Sequence, residues 1–544
     1  MTILFAMASP EYLRFYDATI EALAARGHRV LVAVNADKEK KPVRLEGLGG
    51  ADGRVVAIGL VPGRGDLWEP IARGLRGLTD FVRYLHPRFA AAPALRRRMK
   101  RKALPFGFYP LDLVPTLGAG GTRVLLRLLA VLEAAIPPAA ALAEFLRLHQ
   151  PDVVVVSPLV DAASDQVDLV KAARALGVPS TVAIASWDNL TNKGLLRVQP
   201  DRVLVWNEAQ RGEAVEFHGV PADRVVVTGA QLFDRWFERR PSTTRAEFCQ
   251  RAGLGSDRPF VLFTCSSSFI SLSHAELPFV REWIAAVRAN PVLSEMPIVV
   301  RPHPYNFAAW ETADFGDLED VVIWPARPYN PVEEASRDGF FDSLYHSAAV
   351  VGINTSAMIE AAILGRPVLS IVAGPFAATQ EGTLHFHHLL PENGGFLRVA
   401  STLGEHVGQL AGVVQHPEAA RAETQRFVAS FIRPHGLDAP CVPHVADAIV
   451  STPLAGSTAS DAAWWTPALR PVLLAGSAYA ATCWFVAEPK ARRSARKRVG
   501  AALARGRKVA ARGARIGIDR LVRTVRRRAR QASRSLKFSS ARPR

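Results

Sequence analysis

Residues 350–371 read VVGINTSAMIEAAILGRPVLSI. Val350, Val351 and Ile353 make an apolar strand that stops at Asn354-Thr355-Ser356. Those three are N-cap residues, and a run rich in Ala, Ile and Met follows at once, so a helix is expected. Gly365 stops it, and Pro367 restarts an extended apolar run. Strand, turn, helix and strand make a parallel-sheet unit. Such a unit leaves backbone N–H groups and hydroxyls at the carboxyl edge of a strand, where open sheets bind phosphates. Asn354, Thr355 and Ser356 are therefore candidate donor contacts. Glu360, one turn into the helix, is suited to accept bonds from ribose hydroxyls. An ordinary, well-capped βαβ unit reads the same way.

Two further segments place polar groups at strand ends. PIVVRPHP, residues 297–304, is a short buried strand ending in Arg301 and His303. Prolines on both sides of the histidine fix the backbone and forbid helix. A guanidinium fork and an imidazole suit a diphosphate and its leaving-group charge; a solvated surface turn is the alternative. SWDNLTNKG, residues 186–194, follows the strand Thr181–Ala185. No hydrophobic period runs through it, so it is a loop, and loops at strand ends carry function. Asp188 is a candidate general base. Trp187, Asn189 and Lys193 are candidate acceptor or phosphate contacts, and an Asx-turn with no substrate role is the alternative.

The rest of the chain extends the pattern. Runs of Val and Ile at 2–8, 28–34, 152–157, 181–185, 202–206 and 224–228 alternate with helical stretches, including one expected over 11–26. Near-continuous apolar strands indicate a parallel sheet covered on both faces. A second series follows at 260–265, 298–300, 321–324, 350–353 and 368–372. The expected organisation is a first domain over 1–240, carrying a Leu-rich helical insertion at about 66–148, and a second over 241–450. Pro241 marks the linker. The insertion contains RRRMKRK at 96–102, a basic patch suited to an acceptor or a membrane, or simply a solvated turn.

The formal charge of +17 is unevenly spread. Residues 490–544 hold 21 Lys or Arg and one acid, so that tail carries +20 and the remainder −3. Before it, residues 451–460 form a Gly, Ser, Thr and Pro linker, and 471–487 is an uncharged apolar run at the lower limit for a membrane span. An interfacial arrangement, with arginines at anionic headgroups, is expected on the cytoplasmic face. An arginine-rich tail also binds nucleic acid, but the adjoining apolar run favours lipid. The start, MTILFAMASP, lacks a basic n-region and reads as a first strand. Four cysteines without CxxC spacing suggest neither a disulfide framework nor a zinc site.

These motifs resemble bacterial transferases of the GT-B fold, nearest the capsule and teichoic-acid group that includes CDP-glycerol glycerophosphotransferases. The similarity to UDP-N-acetylglucosamine 2-epimerases is more distant. It is carried by the opening ILFAMASPEYLRFYDATIEALAARGHRVLVAV, by VVRPHP, and by VGINTSAMIEAAILGRPVLSI. The chain departs from the glycerophosphotransferases, which usually carry Asp where this chain has Asn354 and a serine where it has Thr355. The resemblance implies two doubly wound Rossmann-like domains facing a cleft, the second binding the donor. It implies a glycosyltransferase using a nucleotide-activated sugar in cell-envelope glycan or capsule synthesis, without metal or cofactor. Glycerophosphoryl transfer, 2-epimerisation, or a non-catalytic membrane or nucleic-acid binding role are the alternatives. It also places QEGTLHFHHL, residues 380–389, over the donor, making Gln380 and His385 candidate donor or acceptor contacts, with plain packing as the alternative.

Overall fold

The computed structural model describes residues 1–35, 53–255, 257–271, 273–329, 333–372, 376–453 and 465–487. The chain divides into a compact body, Met1–Ser477, and a second unit, Ala478–Arg544. The basic tail at 490–544 lies outside the described residues.

The body is built on two all-parallel sheets. The first has seven strands in the order β3-β2-β1-β4-β5-β6-β7. They are β1 (Thr2–Met7), β2 (Arg29–Asn35), β3 (Val55–Val61), β4 (Val153–Ser157), β5 (Ser180–Ala183), β6 (Arg202–Val205) and β7 (Val225–Val227). The second runs β10-β9-β8-β11-β12-β13. Its strands are β8 (Phe260–Thr264), β9 (Ile298–Arg301), β10 (Val321–Ile323), β11 (Ser347–Gly352), β12 (Val368–Ile371) and β13 (Arg398–Ala400). Central strands such as β4, VVVVS, are buried along their whole length because helices cover both faces. Two doubly wound sheets are the architecture that the resemblance implied.

In each sheet the order reverses at one point, between β1 and β4 in the first and between β8 and β11 in the second. Beyond the carboxyl ends of strands at such a switch point, helices diverge and leave a crevice. The loops after β1, β4, β8 and β11 therefore form the rims of whatever site each sheet carries.

Three features differ from the sequence expectation. The helix expected over 11–26 is two pieces, a 3₁₀ turn Pro10–Phe15 and α1 (Asp17–Ala25). Tyr16 breaks it: its ring is fully buried, and its hydroxyl lies 2.7 Å from both Ser157 Oγ and the Ala183 carbonyl. Strand β3, VVAIGLV and half exposed, adds an edge that the expected strand series left out. The helix Cys441–Val450 belongs by packing to the first sheet, not the second, since Val445, Ala446 and Ile449 join Ile3, Phe5 and Ile20 in one core.

The insertion is a helical layer: α2 (Glu69–Arg83), α3 (Pro93–Lys102) and α4 (Gly118–Ala135), with its own apolar core around Phe81, Leu85 and Leu95. Buried charges join it to the first sheet. Arg76 reaches Asp168 at 2.7 Å and Glu133 at 2.9 Å, and Arg64 reaches Asp168 at 2.7 Å. Helix Arg470–Ala487 begins on this layer. Leu473 is buried in its core, Ser477 Oγ donates to the Leu67 carbonyl at 2.6 Å, and Arg470 Nε donates to the Ala135 carbonyl at 3.1 Å. The first two turns of the apolar run 471–487 thus pack on the body through Leu473 and Ser477. Among the described residues no single helix is long and apolar enough to cross a bilayer.

Candidate functional site

A cavity of about 330 Å³ opens at the carboxyl edge of the first sheet. Ser9, Glu11, Tyr12, Arg14 and Phe15 from the loop after β1 line one wall. Ala185, Ser186, Asp188, Asn189 and Lys193 from the loop after β5 line the other. The break at Tyr16 makes the first wall, because a straight helix from residue 11 would carry Tyr12 and Arg14 round the helix axis.

Asp188 and Lys193 face each other across a small polar cluster. Burial raises the Asp188 pKa, but Lys193, then His385, and the Ser186 hydroxyl more than offset it, so the carboxyl sits below its ordinary value. Asn189 Nδ2 donates to Asp188 Oδ1 at 3.2 Å. Burial lowers the Lys193 pKa, yet Tyr12, Asp188 and Asp161 outweigh it and hold the ammonium charged. Lys193 Nζ lies 3.7 Å from Asp161 Oδ1. Asp161 comes from the loop after β4, so the switch-point loops contribute as the topology requires.

The helical layer holds this loop from behind. Arg83 Nη1 donates to the carbonyls of Lys193 at 3.0 Å and Gly194 at 2.8 Å, and its Nη2 donates to the Leu190 carbonyl. The Tyr84 hydroxyl donates to the Lys193 carbonyl at 2.8 Å. Asp80, with no exposed surface, accepts from Leu195 N at 2.8 Å and Ala163 N at 2.7 Å, and pairs with Arg197. Gly194 is required here, because a Cβ would stand 2.7 Å from Asp80 Oδ1.

Arg14, on the cavity wall, lowers the pKa of both Glu360 and His303 of the second sheet through its charge. Burial pushes Glu360 up to about 7, against the opposing pull of Arg14 and Arg301. Burial, with Arg14 second, pushes His303 down to about 4, so at neutral pH it is an uncharged imidazole. It is suited to hydrogen bonding at a leaving group rather than to supplying charge. Ser356 is exposed at the start of the helix Ala357–Ile363, and its side chain makes no capping bond. Thr355 Oγ1 accepts from Ala357 N at 3.4 Å.

Four candidates are occupied elsewhere. Trp187 is buried in a core shared with Trp206, Phe386 and Leu389, and its ring meets His385 edge-on at 4.5 Å. Its ring is spent on joining the two halves of the body. His385 is itself buried and held down to about 4 by that burial, against the pull of Asp188. Gln380 is fully buried, its amide nitrogen donating to the carbonyls of Ile353 and Ile371, each at 2.9 Å. It ties the ends of β11 and β12 together. Asn354 Nδ2 donates to the Thr379 carbonyl at 2.7 Å, so its amide fixes the segment before Gln380.

Arg301 is also turned inward. It is 4% exposed, with its guanidinium 5.0 Å from each of the ring centres of Trp324, Tyr329 and Phe340. Burial lowers its pKa against Tyr329 and Glu360. The sequence reading missed Tyr12, Arg14 and Asp161; the signal for the first two was SPEYLRF, charged and aromatic residues directly after the first strand. Among the described residues no group of three or more His, Cys, Asp or Glu side chains is placed to hold a metal ion.

No family model matches the chain, and no curated protein matches it. Among solved structures it is similar to the UDP-GlcNAc 2-epimerase of Neisseria meningitidis bound to UDP-GlcNAc, at 13% identity and TM-score 0.47, covering 83% of this chain and 99% of that one. It is similar to the glycosyltransferase VinC in complex with dTDP, at 15% identity and TM-score 0.39, covering 83% and 99%. A third is WaaG, a glycosyltransferase involved in lipopolysaccharide biosynthesis, at 12% identity and TM-score 0.41, covering 82% and 100%. All three likenesses are distant, with TM-scores below 0.5.

Proposed function

We propose that the protein is a glycosyltransferase that moves a sugar from a nucleotide-activated donor to an acceptor in cell-envelope glycan synthesis. The observation that carries the reading is that Asp188, Lys193 and Arg14 share the lining of one cavity at the carboxyl edge of the first sheet. Asp188 there is ionised and Lys193 charged, and the charge of Arg14 lowers the pKa of Glu360 and His303 of the second sheet.

In this reading the donor diphosphate lies against Arg14, with Ser356 and Thr355 beside it and Glu360 toward the ribose. An acceptor hydroxyl attacks the anomeric carbon as the bond from that carbon to the diphosphate oxygen breaks. The hydroxyl proton passes to Asp188, which is ionised and lies on the cavity wall, within the reach general base catalysis demands. The nucleoside diphosphate leaves with the bonding pair, its charge met by Arg14 and by a hydrogen bond from neutral His303. Lys193 keeps Asp188 ionised. Arg301 supports Glu360 from behind and does not touch phosphate. The tail at 490–544 holds the enzyme at the anionic, cytoplasmic face of a membrane, where a lipid-linked acceptor is presented.

Two measurements test this. A thermal-shift panel of UDP, CDP, GDP and dTDP is expected to single out one nucleotide, with about 2.7 kcal/mol of stabilisation at 100 times its dissociation constant. Asp188→Asn is expected to lower transfer by about two to four orders of magnitude while nucleotide binding survives. Near wild-type transfer by that variant, or no response to any nucleotide, ends the reading.

A further inference from the structure

Large apolar side chains are left exposed on one part of the body. Among the described residues fifteen are exposed, and nine of them lie on the stretch from α2 to α4 or on the segment from Trp465 to Leu474 that packs against it. The most prominent are Leu113 at 86%, Val472 at 72% and Phe106 at 60%, and Leu128, Val124 and Phe108 are exposed in the same layer. A body with two well-formed sheets has no folding reason to gather them there, and such a concentration marks an interaction surface.

Their neighbours identify the partner. Between residues 93 and 130 the sequence holds eight Lys or Arg and a single acid, Asp112. That acid is already engaged by Arg96 at 3.1 Å and Lys100 at 2.7 Å. Arg97, Arg101, Lys102, Arg123 and Arg127 are exposed. On α4, Arg123 with Val124 and Arg127 with Leu128 repeat one turn apart, so cation and apolar group share a ridge. A protein partner would need matching acids around an apolar centre. A bilayer with anionic headgroups offers negative charge everywhere and an apolar interior just beneath, and long basic side chains can span the two levels. The chain also continues from this layer, through helix Arg470–Ala487, into a segment carrying +20.

We infer that the outer surface of the helical layer is a membrane-docking face that seats on an anionic bilayer, inserting Phe106, Phe108 and Leu113 while its arginines meet the headgroups. This face acts in addition to the basic tail and does not depend on the transfer reading. It brings the membrane to the layer whose α2 clamps the Asp188–Lys193 loop through Asp80 and Arg83.

The test uses the full chain and vesicles of phosphatidylcholine with and without phosphatidylglycerol. At low salt the tail and the face both contribute. At about 1 M salt, where the screening length falls to about 3 Å, the headgroup attraction fades and the apolar contribution remains. The triple variant Phe106→Ser, Phe108→Ser, Leu113→Ser is expected to lose about tenfold or more of the high-salt partition onto anionic vesicles, with its melting temperature unchanged because these side chains are exposed. Arg97→Glu with Arg101→Glu is expected to weaken low-salt partition instead. Partition of both variants within about twofold of wild type overturns the inference. So does a triple variant that still binds vesicles but falls from a larger oligomer to a monomer, which would make the face a protein interface.

Discussion

The two halves of the site hold their charged residues by opposite means. The Asp188–Lys193 loop is gripped from behind through its backbone: Arg83 and Tyr84 take its carbonyls and Asp80 takes the following N–H. The side chains are left to line the cavity. Arg301, in the second half, is gripped by its own guanidinium, packed among three aromatic rings with Nε and Nη1 making no hydrogen bond among the described residues. A motif residue is free for substrate where neighbours satisfy its backbone, and committed to structure where they enclose its side chain. The consequence shows in protonation. Asp188 stays below its ordinary value beside a fixed cation. Glu360, with Arg14 and Arg301 offsetting only part of its burial, rises to about 7.

The largest expected effect breaks the first grip. Asp80→Ala leaves Arg197 buried without its partner and the N–H groups of Ala163 and Leu195 without an acceptor. Removing one member of a buried ion pair costs about 3–5 kcal/mol. Urea unfolding is expected to show that loss, and a variant less than about 1 kcal/mol weaker would mean that the loop is held by something else. Gly194→Ala attacks the same contact from the other side and is expected to destabilise in the same direction.

The second prediction breaks the other grip and is smaller. Arg301→Met puts an unbranched apolar chain where a caged cation stood. A desolvated cation–π contact is worth about 2 kcal/mol, and replacing a buried charge with a well-packed apolar group recovers much of its desolvation cost. Stability is therefore expected to change by no more than about 2 kcal/mol, and nucleotide affinity to fall by less than about tenfold, acting through Glu360 alone. Isothermal calorimetry decides it: a loss of about a hundredfold or more would return Arg301 to the phosphates.

This contrast also explains what was legible beforehand. Strands such as VVVVS and PIVVR were readable because central parallel strands are apolar on both faces. The placing of Asp188 and Lys193 on a polar loop after a strand was readable because no hydrophobic period runs through SWDNLTNKG, and that loop lines the cavity. Trp187 and Gln380 misled because a polar or aromatic residue in a loop has the same local pattern whether it points inward or outward. The cage around Arg301 had no local signal at all, since Trp324, Tyr329 and Phe340 come from beyond β10 and from the helix Glu334–Tyr345. Arg14 was hidden by the assumption of one continuous helix, which buried Tyr16 interrupts.

The smallest effect concerns Glu360, whose protonation separates the two halves most finely. Its pKa in the folded protein is raised by burial to about 7 from its ordinary 4.5. An acid with a raised folded pKa binds its proton more tightly when folded. Its contribution to stability is therefore full below the unfolded value and is lost as pH rises through the folded one. Nucleotide binding should run the other way. If Glu360 accepts hydrogen bonds from ribose hydroxyls it must be ionised, so affinity should rise with pH up to about 7 and level off above it. Well below that point the expected slope is about tenfold per pH unit. Glu360→Gln keeps the shape but cannot ionise, and its affinity is expected to be flat across the same range. His303, held down to about 4, does not titrate in this window and does not blur the result. The Arg301→Met variant sharpens it further. With one of two neighbouring cations gone, the midpoint of the affinity curve should move upward from about 7. A midpoint unchanged in that variant would mean Arg301 does not act on Glu360. A wild-type affinity with no slope between pH 6 and pH 8 would mean the carboxyl does not touch the nucleotide.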